Sequence, residues 1–172
     1  MFKVISYLII IVGSTSIGIL YGESMKKRLQ QLYEMDRIML SISNEITYLM
    51  TPLPELFMRI AEDSTSEFKK FFTNISIRMV NGELYDIFDA YKSVRDELSS
   101  EFYFKEADIK VIDGFFRNLG NNDVRGEQNS IEYFRLKMKR IIEEADKKLK
   151  KDYKLVTSLS FALGLVVVII IL

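Results

Sequence analysis

The chain has 172 residues, 48% hydrophobic and 28% charged, and its 24 basic and 24 acidic side chains balance to a formal charge of zero. That balance supplies no global field to draw the chain to nucleic acid. Cysteine and histidine are both absent, which excludes disulfides, thiol nucleophiles, imidazole bases and the commonest metal ligands; no cofactor and no enzymatic activity are expected. Two prolines and eight glycines leave few breaks in a composition rich in good helix formers, so the expected fold is all-α.

Val4 to Tyr21 is a run of eighteen residues without a charge. It reads either as a membrane anchor or as a signal peptide, with Lys3 as its basic start, Ile5 to Val12 as its apolar stretch and Ser14-x-Ser16 as a cleavage site. Lys26, Lys27 and Arg28 follow it, against the single Lys3 before it, and this asymmetry favours an anchor with its C-terminal flank in the cytosol. Ser14, Gly18 and Gly22 recur every fourth residue, a stripe that lets membrane helices approach closely. The partner for that stripe is Ser160 and Gly164 near the other end of the chain, or a second copy; the bland reading is that glycine is common in membrane helices.

Beyond Gly22 the helical pattern runs unbroken to Met50, with Leu32, Met35, Met39, Ile42, Ile46 and Leu49 spaced as a heptad seam. Glu45 and Tyr48 flank that seam, and Glu45 either pairs with a neighbouring cation or faces a partner. Thr51 reads as the N-cap of a second helix over about Pro52 to Glu62, both prolines falling in its first turn. Ser64-x-x-Glu67 reads as a capping box opening a third helix with Phe68, Phe71, Phe72, Ile75 and Met79 on one face, closed by Asn81-Gly82. A fourth helix carries Leu84, Ile87, Phe88, Tyr91, Val94 and Leu98. A fifth carries Ile109, Ile112, Phe116 and Leu119, its apolar face widened by Val111 and Phe115, and stops at Gly120.

Gly120-Asn121-Asn122-Asp123 pairs a C-cap glycine with a candidate N-cap for the last helix. Ile131, Phe134, Met138, Ile141, Ala145 and Leu149 then form a second seam that continues into Leu155 to Leu172, another eighteen residues without charge. A helix of that length spans about 27 Å, close to a thin bilayer. It is preceded by Lys147, Lys148, Lys150, Lys151 and Lys154, which fix sidedness and can also meet anionic lipid headgroups or an acidic partner. Pairs such as Glu143 with Lys147 offset part of this charge. The expected organisation is an anchor over 1–22, a cytosolic bundle of about six helices over 23–153 built on two long antiparallel rods, and an anchor over 154–172, with both termini outside. Gly13 and Gly18 have the spacing of a phosphate-binding loop, but Ile19 stands where that loop needs lysine, so no nucleotide site follows.

Taken together, the two terminal anchors, Glu45-Ile46-Thr47-Tyr48 before Thr51-Pro52-Leu53, Leu119-Gly120-Asn121-Asn122-Asp123 with Gln128 after it, and the basic rod resemble the stage III sporulation protein AB family over nearly the whole chain. Asp113-Gly114-Phe115-Phe116 departs from the family's pattern. The resemblance implies a cytoplasmic bundle like that of the platform F protein of type II secretion and type IV pilus systems. It further implies a scaffold in the mother-cell membrane around the forespore, part of a secretion-like channel. The expected partners are the secretion-type ATPase of the same operon and other membrane and ring components. The family-matching Leu119, Gly120, Asp123 and Gln128, with Glu45 and Tyr48, are the candidate interface; their alternative role is local, as caps and packing. The rival function is a membrane-tethered coiled-coil adaptor or signalling module that dimerises through the two seams.

Overall fold

The computed structural model describes residues 2–48, 51–82, 86–120 and 124–171. They form six α-helices: α1 (Phe2–Tyr48), α2 (Leu53–Glu62), α3 (Ser66–Val80), α4 (Ile87–Glu97), α5 (Glu106–Asn118) and α6 (Val124–Ile171), with a short 3-10 turn at Ser99–Glu101. No strand occurs among the described residues. The expected all-helical class therefore holds, and the first and last helices are long rods of 47 and 48 residues, each continuous with an uncharged terminal stretch. Among the described residues, no helix is long and apolar enough to cross a membrane. Leu49, Leu84 and Asp123 lie outside the described residues, as do the side chains of Tyr48 and Lys154 and the surroundings of Gly164.

The chain divides into two compact units, residues 1–29 with 143–172, and residues 30–142. In the first, α1 and α6 run antiparallel. A Cβ placed on Gly18 would come within 2.5 Å of Ser160 Oγ, and one on Gly22 within 2.7 Å of the Tyr153 ring. The two backbones come this near only because glycine stands at both positions.

The second unit holds the core. Leu32, Met35, Met39 and Ile42 of the first seam are buried, joined by Ile38. On α6 the buried residues of this unit are Ile131, Phe134, Met138 and Ile142. Ile142 replaces the expected Ile141, because a straight helix of 3.6 residues per turn drifts about 20° per heptad and brings the next residue onto the face. Arg135 and Asp36 tie the two helices together at 3.2 Å, with little of either side chain exposed. The four shorter helices share an aromatic core. Tyr91 of α4 stacks on Phe116 of α5 at 4.1 Å and 8°, and Phe57 of α2 and Phe72 of α3 complete a chain of rings at 5.7–6.3 Å. Such pairs add about 0.5–1.5 kcal/mol each beyond burial. Gly114 has a packing role: a Cβ there would come within 2.6 Å of Phe134, so the glycine is the notch that seats that ring against α5.

Two expected caps are corrected. Pro52, not Thr51, is the N-cap of α2, with Pro54 inside the first turn where no N–H bond is lost. The capping box at Ser64 does not form: the N-cap of α3 is Thr65, one residue later, and the Ser64 hydroxyl donates back to Ile60 O at 2.7 Å. Thr65 donates instead from both its N–H and its hydroxyl to the carboxylate of Glu34 on α1, each at 2.8 Å. A cap reached from another helix removes the local serine's task. At α4 the N-cap is Asp86, which the sequence pattern does not single out, and its carboxylate accepts the Phe88 N–H at 2.6 Å.

Candidate functional site

The stretches singled out in the sequence converge on the start of α2. Glu45, near the end of α1, accepts the Thr51 hydroxyl at 3.0 Å and Arg59 of α2 at 3.1 Å on both oxygens. Two residues after Thr51, Leu53 lies beside Gly120, where an added Cβ would be 3.4 Å from Leu53 Cδ1 and 3.1 Å from Ile87 Cδ1. Three segments that are far apart in sequence, around residues 45, 53 and 120, thus meet at one end of the second unit.

The side chains there are engaged within the chain. Glu45 pairs with Arg59, the internal one of its two readings. Leu119 is 2% exposed and closes α5, while Gly120 has φ +81°, a conformation that side chains other than glycine rarely adopt. The Gly120 N–H donates to Glu127 Oε1 at 3.1 Å. Glu127 is itself buried, and its Oε2 accepts no hydrogen bond among the described residues. Glu127 is not marked by any sequence pattern, although a carboxylate four residues into α6 is well placed to receive an N–H from the preceding turn. Gln128, beside it, is half-buried and engaged.

A second polar group lies between α4 and α5. Asp113 Oδ1 accepts both the Tyr91 hydroxyl at 2.5 Å and Arg95 at 2.6 Å. Burial, reinforced by the neighbouring carboxylate, pushes the Tyr91 phenol well above its usual range.

In the first unit, Lys26 donates to Glu23 at 2.7 Å and to the Tyr153 hydroxyl at 3.2 Å, with its ammonium 4.4 Å from the Tyr153 ring centre. The hydrogen bond from Lys26 holds the Glu23 carboxyl below its usual range, and the Glu23 carboxylate raises Lys26 in return. Of the basic residues before the last uncharged stretch, Lys147, Lys148, Lys150 and Lys151 are exposed, and Lys150 pairs along the helix with Asp146 at 2.6 Å. Lys27 and Arg28 also make contacts of their own. Ser14 is half-buried.

Compared with known proteins, residues 3–172 match the sequence profile of the family described as stage III sporulation protein AB. The chain belongs to the stage III sporulation protein AB family. A curated relative, the stage III sporulation protein AB of Bacillus subtilis (strain 168), is 22% identical over 176 residues, an alignment that takes in all of both chains. A solved structure titled stage III sporulation protein AB superposes with a TM-score of 0.66 at 20% identity, covering 72% of this chain and 96% of that one. At that identity the likeness establishes the fold, and it agrees with the helical bundle described above.

Proposed function

We propose that this family member is a non-catalytic membrane platform of a secretion-like channel assembled during sporulation between mother cell and forespore. It docks a cytosolic secretion-type ATPase. The observation that carries the reading is a symmetry in the sequence. Each end has eighteen uncharged residues, 4–21 and 155–172, and each run is flanked on its inner side by basic residues, Lys26 to Arg28 and Lys147 to Lys154. Both flanks place the segment between them in the cytosol, and two crossings return the chain to the side on which it began. The close passage of Gly18 over Ser160 supports a paired anchor, and the exposed lysines suit anionic headgroups.

The docking face belongs to the end of the second unit where Glu45, Leu53 and Gly120 converge. Leu119 and Gly120 act there by setting the shape of the turn. The adaptor reading is less well supported: it needs the seams free for a second copy, and Leu32, Met35, Met39, Ile131 and Met138 are buried within one chain.

Because the chain has no cysteine, single cysteines report topology cleanly. In intact cells, Ser100→Cys is expected to react with a membrane-impermeant maleimide only after permeabilisation. Labelling of that position from outside intact cells would overturn the reading.

A further inference from the structure

The second unit carries a cleft of about 400 Å3 that none of the residues above explains, a volume typical of small-ligand sites. Its floor is apolar: Met35 of α1, Phe68 and Phe71 of α3, Tyr91 of α4 and Ile112 of α5 are each no more than 5% exposed. Its lip is the extended segment after the 3-10 turn, where half-buried Phe102 and Phe104 stack on each other at 5.3 Å and 7°. Gln31 of α1, itself buried, fixes that lip by donating to Glu101 O at 3.1 Å and accepting the Tyr103 N–H at 2.8 Å, the pairing that a neighbouring strand would provide. The aromatic wall is therefore preformed.

The charges around it do not balance. Arg95 and Lys110 face Asp96, Glu106 and Asp113, two cations against three carboxylates, a surplus of one negative charge. Both cations are already committed. Arg95 bonds Asp113 with one nitrogen and Asp96 with two others, and Lys110 lies 2.8 Å from Glu106. Asp113 receives both of its bonds on Oδ1, which leaves its second oxygen to accept from a ligand. A negatively charged ligand meets this surplus as repulsion, and a neutral apolar one leaves it uncompensated. A positive charge gains from the carboxylates and from the faces of the aromatic rings.

We propose that this cleft binds an organic cation, an ammonium or guanidinium group carried on an aromatic or aliphatic body. The body fills the space over Phe68 and Phe71, and the charged head points to Asp113. Two sources offer that chemistry, a free small amine and a basic side chain displayed beside an aromatic one on a partner.

The test uses the full chain in detergent with tryptamine, indole-3-propionate and the blocked dipeptide acetyl-Trp-Arg-amide as probes in calorimetry. Tryptamine or the dipeptide is expected to bind at least about tenfold more tightly than indole-3-propionate. Tighter binding of the dipeptide assigns the site to a partner side chain, and tighter binding of tryptamine assigns it to a free amine. The double change Asp96→Asn with Glu106→Gln, at two exposed positions, turns the surplus from one negative to one positive charge and is expected to abolish the preference for the cation. Ser99→Trp, at the exposed edge of the cleft, is expected to block both cationic probes without altering thermal unfolding. Equal or tighter binding of indole-3-propionate, no binding by either cation, or cation binding unchanged in both variants would overturn the proposal.

Discussion

Glu34 of α1 caps α3 from outside: its two carboxylate oxygens accept the N–H and the hydroxyl of Thr65, each at 2.8 Å. The pair joins residues 31 positions apart, so it ties the register of α1 to the start of a helix that packs elsewhere in the core. Replacing Glu34 by Ala removes both acceptors and is expected to cost about 1–2 kcal/mol of stability. Ser64→Ala, at the position the sequence marks as a capping box, is expected to cost clearly less, because that hydroxyl only bonds back to Ile60. Chemical denaturation of the two variants side by side distinguishes them.

The same pair shows where sequence reading reaches and where it stops. Helix number, order and the buried faces of α1, α3 and α4 follow from apolar spacing along one element, and Leu32, Met35, Phe68, Phe72, Tyr91 and Val94 all lie where that spacing puts them. Glu34 with Thr65, and Gln31 with Tyr103, are polar contacts between segments with no common period, and no local pattern encodes them. The cleft is invisible for a similar reason: its walls come from α1, α3, α4, the segment at 102–104 and α5, and its lip has no helical repeat. At the candidate interface, the Gly120 cap was legible because a glycine closing an apolar helix has a specific backbone cause, whereas its neighbour Glu127 looked like any acid in a first turn.

Gly120 provides a second prediction. With φ at +81° and Ile87 and Leu53 within 3.1–3.4 Å of an added Cβ, Gly120→Ala is expected to lose about 1–2 kcal/mol in urea denaturation. Gly82→Ala, with φ +68° and open space around it, carries only the backbone part of that cost and is expected to lose less.

In the first unit three helical glycines differ in what surrounds them. Gly13 has nothing within 4 Å of an added Cβ, whereas Gly18 and Gly22 meet Ser160 and Tyr153. Gly13→Ala is expected to be neutral or slightly stabilising through helix propensity. Gly18→Leu and Gly22→Leu are expected to lower the unfolding temperature of the full chain in detergent. Equal behaviour of all three would remove the close approach of α1 and α6 as a stabilising contact.

The Tyr91 phenol gives a prediction in pH. Burial first, and then the hydrogen bond to Asp113, raise its folded-state value above the ordinary 10.0. Folding therefore keeps a proton that the unfolded chain releases. The stabilisation is complete below pH 10 and declines above it, by about 1.4 kcal/mol per pH unit. In urea titrations between pH 9 and 11, the native chain is expected to lose more stability than Tyr91→Phe, which has no proton to release. Parallel curves would contradict the coupling.

The central claim, that the chain is a platform receiving a cytosolic ATPase at the end where Glu45, Leu53 and Gly120 meet, is tested most directly by retention of that ATPase on membranes carrying the full chain. Glu55, exposed in the first turn of α2, is the probe of that end, and Lys69, exposed on α3, is the control. The native chain and Lys69→Glu are expected to retain the ATPase, and Glu55→Lys is expected to lower retention at least about tenfold with unchanged thermal unfolding. Failure of the native chain to retain the ATPase, or equal retention by Glu55→Lys, would contradict the claim.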